Sequence, residues 1–456
     1  MGSKTVVLYP GLGVGHLTPM VQLARLFRQH GVAITVALIE PQVKSPHFSD
    51  AVARAAASNP SVTFHVLPPP APAAGSSPLG TFDYRRLMDA SLRDFLRSLP
   101  AVHALVLDMF CAGSLDVAAE LGIPAYFFMA SGASFLAVFL NLPSMVASTG
   151  RTFAELGDSL LRLPGAPPFK ATDLPRVVRD NDETTKAFLR MAERIPESNG
   201  ILINTFESLE ARAVRALRDG LCVPGRPTPP VYCIGPLLSE GGDKQHECLE
   251  WLDAQPDNSV VFLSFGSMGT FSKQQLEEIA VGLERSRQRF LWVVRSPLGE
   301  NQKIGDPLPE PDLDALLPKG FLKRTKERGL VVKSWAPQVE VLCHRATGAF
   351  MTHCGWNSTL EGIMAGLPLL CWPLYAEQRM NKVFIIEEMK LGVVLKGYDE
   401  ELVKAEEIEA KVSWVMDSGK GSALREDAAA QKIRGTETLK EGGSSHTSFV
   451  EFLNHL

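Results

Sequence analysis

Short runs of Val, Ile and Leu alternate along this chain with longer stretches in which apolar residues recur at helical spacing. The short runs are apolar at successive positions, which is typical of strands buried between two layers of helices. Their alternation with amphipathic helices predicts an α/β protein built on parallel sheets. In the first half of the chain, strands are predicted at residues 5–9, 32–39, 62–67, 104–107, 125–128 and 201–204.

The same rhythm restarts after a proline-rich stretch, residues 223–244, which we interpret as an extended linker. A second set of strands is predicted at residues 260–265, 290–294, 330–333, 348–352, 369–371 and 393–395. We therefore expect two doubly wound domains, residues 1–235 and 251–440, joined by a linker at residues 236–250. Open α/β sheets bind ligands at the carboxyl ends of their strands, so a cleft between two such edges is the expected site.

The composition of the chain argues against some classes of binding partner and against a membrane span. The 456 residues are 45% hydrophobic and carry a formal net charge of −5 without a long basic run, which argues against a nucleic-acid partner. The apolar stretch at residues 124–145 is interrupted by Ser, Gly, Asn and Pro, so we expect a buried strand and helix and no membrane span. The seven cysteines are scattered and odd in number, which favours reduced thiols and a cytoplasmic location.

A glycine-rich loop follows the first predicted strand and precedes a helix expected from about residue 17. Gly11, Gly13 and Gly15 let the backbone turn sharply and approach a ligand closely. The loop resembles a dinucleotide-binding fingerprint, with Glu40 placed as the ribose-binding acid, but His16 occupies the position of the third glycine. A nucleotide-dependent oxidoreductase is therefore an alternative that this weak motif leaves open.

His16 has two interpretations of its own. It is either an ordinary polar residue near a helix start or a general base, since imidazole titrates near neutral pH. Its place at the carboxyl end of a strand favours the base. Such a base works better beside an orienting carboxylate, and Asp108, at the end of another strand, is the candidate, although Asp also initiates turns. Asp116 is a weaker candidate because it is expected on the following helix.

Residues 353–358 follow a predicted strand and open a helix, which is typical of an anion site. Free amides there favour a diphosphate, and His353, Asn357 and Ser358 can add hydrogen bonds. Ser267, in the loop after residues 260–265, can be presented to a phosphate as well. The spacing of Ser358 and Glu361 fits a helix capping box equally well, so Glu361 is either a capping residue or an acceptor for a ribose diol.

Other side chains of the same region suit a nucleotide sugar. Trp335 ends a strand and is either a core residue or a flat face for a base. Glu377 and Gln378 open a helix and offer a carboxylate and an amide to sugar hydroxyls. Cysteine and histidine pairs at residues 343–344 and 353–354 lack the close Cys-x-x-Cys spacing of structural zinc sites, so no metal site is predicted.

The segment from Trp335 to Gln378, WAPQVEVLCHRATGAFMTHCGWNSTLEGIMAGLPLLCWPLYAEQ, closely resembles the signature of plant family 1 UDP-sugar-dependent glycosyltransferases. The resemblance extends to PGLGVGHLTP near the start, VLDMF around Asp108 and FLSFGS around Ser267. It implies the GT-B fold, in which two Rossmann-like domains face each other across a cleft. A C-terminal helix, here residues 441–456, would return to the first domain, and a monomer is expected.

The resemblance also implies residue roles. Uracil would stack on Trp335, the ribose would be held by Glu361, and a terminal Gln in this signature is associated with UDP-glucose. The predicted donor site comprises Ser267, Trp335, Ala336, Gln338, His353, Gly355, Trp356, Asn357, Ser358, Glu361, Tyr375, Glu377 and Gln378. Glu377 stands where many relatives carry Asp, a change that keeps the carboxylate.

On the acceptor side, the predicted residues are Gly15, Met109, Phe110, Ser131 and Phe135. The apolar and aromatic residues among them suit a flat phenolic such as a flavonoid. Many relatives have Thr just before the Ser-Gly pair, where this chain has Ala130. By resemblance, His16 with Asp108 would deprotonate the acceptor hydroxyl, which would attack the anomeric carbon of UDP-glucose and give a β-glucoside without a metal. Transfer to carbon, and a catalytically silent UDP-binding protein, remain alternatives.

Overall fold

The computed structural model describes residues 4–42, 46–69, 81–180, 182–238, 241, 246–302, 306–417 and 419–456. The chain divides into two compact units. The first comprises Met1–Ser239 and Thr438–Leu456, and the second comprises Glu240–Glu437. None of the helices in the described part of the chain is both long enough and apolar enough to cross a membrane.

The first unit is built on a seven-stranded parallel sheet with a small antiparallel pair beside it. Its strands are β1 (Thr5–Tyr9), β2 (Ala33–Ile39), β3 (Thr63–Leu67), β4 (Ala104–Asp108), β5 (Ala125–Met129), β6 (Leu160–Leu161), β7 (Phe169–Lys170), β8 (Gly200–Ile203) and β9 (Val231–Cys233). The order in the large sheet is β3-β2-β1-β4-β5-β8-β9, and β6 pairs with β7.

Helices cross over between these strands, as a parallel sheet requires. They are α1 (Val14–Gln29), α2 (Pro46–Ser58), α3 (Thr81–Ser98), α4 (Leu115–Leu121), α5 (Ala133–Thr149), α6 (Phe153–Leu156), α7 (Arg176–Arg179), α8 (Glu183–Arg194) and α9 (Ala211–Arg218). Short 3-10 helices lie at Met109–Ser114, Ala171–Asp173 and Ile195–Glu197. Because β1 lies between β2 and β4 and all three run parallel, the loops after β1 and β4 emerge side by side at one edge of the sheet.

The second unit has a six-stranded parallel sheet in the order β12-β11-β10-β13-β14-β15. The strands are β10 (Val260–Ser264), β11 (Arg289–Val294), β12 (Gly329–Lys333), β13 (Thr347–Thr352), β14 (Leu369–Cys371) and β15 (Gly392–Val394). The helices are α10 (Glu247–Asp253), α11 (Lys273–Ser286), α12 (Leu313–Leu316), α13 (Phe321–Thr325), α14 (Gln338–Cys343), α15 (Trp356–Ala365), α16 (Gln378–Val383), α17 (Ala405–Met416) and α18 (Ser422–Leu439). A π-helical turn, Phe384–Glu388, continues α16.

The last helix, α19 (Ser444–Asn454), belongs to the first unit. Phe449 and Phe452 are buried in that unit's core, with ring centroids 5.1 and 5.8 Å from the ring of Phe27 on α1. The chain therefore returns to the first unit at its end, and burial of two phenylalanines contributes a few kcal/mol to holding it there.

Two parallel-sheet α/β units confirm the predicted fold class. One interpretation was wrong in detail: Val231–Cys233, inside the proline-rich stretch taken as a linker, is the edge strand β9, buried and paired with β8. Three apolar residues among prolines carry too little periodicity to be recognised as a strand. Helix α10 begins at Glu247, inside the predicted linker 236–250, whose residues 239–240 and 242–245 lie outside the described residues. The domain boundaries themselves stay predictions.

Candidate active site

His16 lies in the first turn of α1, which begins at Val14, earlier than predicted. Gly13 makes this entry possible, because its φ of 98° is a left-handed conformation that side chains rarely adopt. Since β1 ends at Tyr9, the imidazole sits just beyond the carboxyl end of β1, an interior strand of the first sheet.

Asp108 ends β4, the neighbour of β1, and its Oδ2 lies 2.9 Å from Nδ1 of His16. Its Oδ1 accepts a hydrogen bond from the Phe110 backbone N–H at 2.9 Å. The carboxylate is 2% exposed and the imidazole 29%, so the pair is buried at one end and open at the other. Burial alone would raise the pKa of Asp108, but the charge and hydrogen bond of His16, the Phe110 N–H and Arg85 together lower it.

Gly11 provides the space for this pair. A Cβ at that position would lie 2.9 Å from Oδ1 of Asp108 and 3.4 Å from Cγ of His16. The weaker candidate, Asp116, pairs instead with Arg194 at 2.6 Å on the exposed side of α4. Of the two candidate carboxylates, Asp108 is therefore the one that orients the imidazole of His16.

Aromatic rings extend from His16 into the first unit. The edge-to-face contact of His16 with Phe110 has a centroid distance of 4.9 Å, and Phe110 lies 5.7 Å from Phe188. Phe188 in turn contacts Phe139, which stacks with Phe135 at 5.8 Å. Of the predicted acceptor residues, Phe110 and Phe135 therefore belong to one apolar series of rings that begins at the imidazole.

The other predicted acceptor residues are more dispersed. Met109 is buried, and Gly15 is exposed in the first turn of α1. Ser131 follows β5, and its buried hydroxyl has no hydrogen-bond partner within the described part of the chain. Arg85, absent from the sequence prediction, places its guanidinium 5.0 Å from the centroid of Phe110.

Glu210 is another buried group that the sequence did not reveal. Its carboxylate is fully buried and accepts hydrogen bonds from the backbone N–H groups of Ala133 at 2.8 Å and Ser134 at 2.9 Å. Those are the first N–H groups of α5, so Glu210 fixes the loop that carries Ser131. Burial raises the pKa of Glu210, and hydrogen bonds from Thr205 and the start of α5 oppose that rise.

In the second unit, Trp335 follows β12 with 56% of its surface exposed, which excludes the core interpretation. Ser334 before it has a φ of 62°, a left-handed conformation that is unfavourable for a residue with a side chain. The indole makes an edge-to-face contact of 5.7 Å with His246. A large flat face is therefore presented at the carboxyl edge of the second sheet, while Ala336 beside it is buried.

Gln338, the first residue of α14, forms hydrogen bonds with two of the other predicted donor-site residues. Its Nε2 donates to Ser358 Oγ at 2.9 Å and to Glu361 Oε2 at 2.7 Å. Its Oε1 accepts from the hydroxyl of Ser264 at the end of β10, also at 2.9 Å. The capping-box interpretation is wrong, because α15 begins at Trp356 with Gly355 as its N-cap and so leaves Ser358 and Glu361 inside the helix.

His353 follows β13 and is packed between two glycines. A Cβ at Gly266 or Gly355 would lie 2.6 or 2.5 Å from its Nε2, so neither position accommodates a larger residue without movement. Burial lowers the pKa of His353 to about 4. At neutral pH it is therefore an uncharged hydrogen-bonding group.

Three further residues of the predicted donor site lie in the loop after β10 and in the first turn of α15. Ser267 is exposed in the loop after β10, and the Oδ1 of Asn357 is buried without a hydrogen-bond partner among the described residues. The indole of Trp356 is buried, whereas the indole of Trp335 is exposed. Hydroxyl, amide and helix N–H groups thus converge where an anion is favoured.

Gln378 opens α16 and is buried. Its Oε1 accepts from the backbone N–H groups of Leu374 and Tyr375, both at 2.9 Å. Glu377, its neighbour, is partly buried, and its Oε1 lies 3.5 Å from Nδ2 of Asn381, which also donates to the Cys354 carbonyl at 2.9 Å. Asn381 was missed by sequence reasoning, because a buried Asn inside a helix carries no local signal.

Three residues with side chains adopt left-handed backbone conformations at this same edge: Ser334 before Trp335, Cys354 after His353, and Ala376 before Glu377. Each costs of order 1 kcal/mol or more, and such residues cluster at functional sites. Among the described residues, no group of three or more His, Cys, Asp or Glu side chains is arranged to hold a metal ion.

Comparison with known proteins finds relatives that are similar over almost the whole chain. A family model described as UDP-glucoronosyl and UDP-glucosyl transferase matches residues 197–418. The chain is 42% identical to an anthocyanidin 5,3-O-glucosyltransferase from a Rosa hybrid cultivar, over 99% of this chain and 98% of that protein. It is 41% identical to a phloretin 2'-O-glucosyltransferase from Pyrus communis, over the full length of both.

Solved structures with the same fold were also found. The structure of Phytolacca americana UGT2 complexed with UDP-2fluoro-glucose and pterostilbene superposes with a TM-score of 0.89 at 36% identity, covering 99% of each chain. The oxidoreductase alternative gains no support from any of these similarities. With such identity over almost its whole length, the chain belongs to the plant UDP-sugar-dependent glycosyltransferases, which have the GT-B fold.

Proposed function

We propose that this protein transfers glucose from UDP-glucose to a hydroxyl group of a small phenolic acceptor and inverts the anomeric carbon. One observation carries the proposal: the imidazole of His16 is held at 2.9 Å by the buried carboxylate of Asp108 at the carboxyl edge of the first sheet. A carboxylate on Nδ1 fixes the imidazole so that its other nitrogen accepts a proton. The relatives named above are glucosyltransferases of an anthocyanidin and of phloretin, both of them phenols.

In the proposed reaction, Nε2 of His16 accepts the proton of the phenol hydroxyl. The phenol oxygen forms its bond to the anomeric carbon on the face opposite UDP, while the bond from that carbon to the diphosphate oxygen breaks. Asp108 stays ionised and stabilises the imidazolium, which then releases its proton to solvent. The products are a β-glucoside, UDP and one proton.

We assign donor binding to the carboxyl edge of the second sheet. Uracil is assigned to the exposed face of Trp335, and the ribose diol is assigned to Glu361, whose Oε2 accepts a hydrogen bond from Gln338. The diphosphate is met by the N–H groups that begin α15 and by the neutral imidazole of His353, without a metal. This edge therefore supplies both an apolar contact and hydrogen bonds.

Glucose is assigned through Gln378. Because its Oε1 is occupied by two backbone N–H groups, the orientation of its amide is fixed, which suits the recognition of particular sugar hydroxyls. Glu377 beside it would accept from the same sugar. We further propose that the protein works as a monomer in the cytoplasm.

A panel of flavonoids, chalcones and stilbenes incubated with UDP-glucose tests the proposal. Mass spectrometry should show addition of one hexose, and NMR should show a β-linkage to oxygen. Binding of UDP without transfer to any phenol would contradict the proposal and favour a silent binding protein. A carbon-linked product would contradict the assignment to a hydroxyl, and faster turnover of UDP-galactose or UDP-glucuronic acid would contradict the assignment of glucose.

A further inference from the structure

Arg295 occupies the carboxyl edge of the second sheet, although no part of the predicted donor site includes it. It follows β11 directly, and β11 lies between β10 and β12. The guanidinium is therefore placed between two loops, one carrying Ser267 and the other Trp335. Both of these residues belong to the proposed donor site.

The guanidinium is only partly satisfied by the protein. Its Nη1 donates to the carbonyl of Ser334 at 3.3 Å, while its Nε is buried without a hydrogen-bond partner. Within the described part of the chain, Arg295 forms no ion pair, and burial lowers its pKa. The hydroxyl of Tyr375 is the group that opposes this effect. A partly buried cation without a carboxylate is less favourable than an exposed one unless an anion binds beside it.

The proposed donor site needs such a charge. His353 is neutral at pH 7 because burial lowers its pKa to about 4, and Ser267, Asn357 and Ser358 carry no formal charge. The start of α15 contributes the equivalent of roughly half a positive charge. Two negative phosphates are thus expected beside hydrogen-bond donors that supply little net charge.

Tyr375 connects Arg295 with the rest of that site. Its ring centroid lies 6.2 Å from that of His353. Burial raises the pKa of Tyr375 to about 12, opposed by hydrogen bonds from Gln378 and the Met268 backbone and by the charge of Arg295. Arg295 and His353 therefore flank one tyrosine, and that tyrosine lies against the loop after β10.

We infer that Arg295 binds the diphosphate of the donor and stabilises the departing UDP, as a catalytic residue additional to those predicted. This inference rests on the proposed function, since it takes the second unit as the binding site for the UDP-sugar. A guanidinium suits the role because it pairs with phosphate oxygens through several N–H groups. The hydrogen bond from Arg295 to the Ser334 carbonyl would then serve to orient the guanidinium towards the phosphates.

The test uses calorimetry to compare the binding of uridine and of UDP to the full-length protein. Charge-assisted hydrogen bonds of this kind predict that Arg295→Gln weakens UDP roughly 10- to 100-fold, while uridine changes less than about 3-fold. Arg295→Lys should keep part of the UDP affinity because it keeps the charge. The matched control is Arg289→Gln at the other end of β11, where the guanidinium donates to Gln255 at 3.1 Å, and it should bind UDP like the wild type.

Equal losses of uridine and UDP affinity in Arg295→Gln would overturn the inference, because they would mean that Arg295 only supports Trp335 through Ser334. Unchanged UDP affinity would overturn it too. If Arg295→Gln does not fold, Arg295→Lys still decides, since an unaltered ratio of uridine to UDP affinity would contradict a phosphate contact. Failure of the wild-type protein to bind UDP would refute the proposed function itself, and that result is distinguishable from all the others.

Discussion

Nδ1 of His16 and Oδ2 of Asp108 are 2.9 Å apart although the residues are 92 positions apart in the chain. They meet because α1 and the 3-10 helix after β4 both start at the carboxyl edge of adjacent parallel strands. The carboxylate is buried and the imidazole is partly exposed, so Asp108 fixes Nδ1 while part of the ring stays accessible to solvent. That relationship underlies the proposed deprotonation of the acceptor.

Asp108→Asn should reduce kcat by about 10² to 10⁴, because an amide cannot stabilise the imidazolium and favours the wrong tautomer. UDP binding should be unchanged, since the second unit holds the proposed donor residues. All six tryptophans of the chain lie in that unit, so quenching of tryptophan fluorescence by UDP is a convenient readout. Retention of the wild-type kcat would remove Asp108 from the mechanism.

Gly11→Ala should impair turnover without abolishing folding. The added Cβ would lie 2.9 Å from Oδ1 of Asp108, too close for the carboxylate to keep its position beside His16. Steady-state kinetics should show a loss of kcat of at least about tenfold, since a small misplacement of catalytic groups has large effects. Gly113→Ala, where the nearest atom to the new Cβ is 3.7 Å away, is the control and should stay close to the wild type. Equal behaviour of the two variants would show that the close approach at Gly11 is unimportant.

Trp335→Ala should weaken binding of UDP and of uridine alike, by roughly 5- to 150-fold, because aromatic stacking on a base contributes about 1–3 kcal/mol. Stability should change little, since 56% of the residue is exposed. Trp335→Phe keeps an aromatic face and should recover much of the affinity. Calorimetry measures both ligands, and a loss confined to UDP would place the indole near the phosphates instead of the base.

The burial of His353 predicts a dependence of stability on pH. Its pKa is about 4 in the folded protein and about 6.5 in an unfolded chain, so the unfolded state binds the proton first. Stability from this residue is therefore fully present above about pH 6.5 and is lost as the pH falls towards 4. At pH 5 the loss should be roughly 2 kcal/mol.

His353→Gln lacks this titration and should lose correspondingly less stability between pH 7 and pH 5. Denaturant unfolding followed by tryptophan fluorescence reports on the second unit and measures the difference. An identical pH dependence in the variant and the wild type would show that His353 does not titrate abnormally.

The sequence predicted best those features that depend on a short stretch of the chain. Buried parallel strands are recognisable as apolar runs, and the pairing of His16 with Asp108 follows once both are placed at the ends of strands in one sheet. The edge strand β9 escaped notice because its three residues lie among prolines. Its burial depends on β8 and the core beside it, not on its own pattern.

Features that depend on the packing of separate elements could not be read from the sequence. The bonds from Gln338 to Ser358 and Glu361 exist because α14 packs against α15, and spacing alone suggested a capping box instead. The neutrality of His353 depends on its burial, which is a property of the packed structure. Arg295 carries no local signal either, since one arginine after a strand is ordinary until its neighbours are known.

The most direct test of the proposed deprotonation compares His16→Ala with the wild type on phenols of graded acidity, using UDP-glucose as the donor. With a phenol whose pKa is about 10, kcat/KM should fall by about 10² to 10⁴, because the general base has been removed. With a nitrophenol already ionised at the assay pH, the loss should be much smaller, since no proton remains to be taken. A loss of the same size for every phenol would contradict His16 as the base.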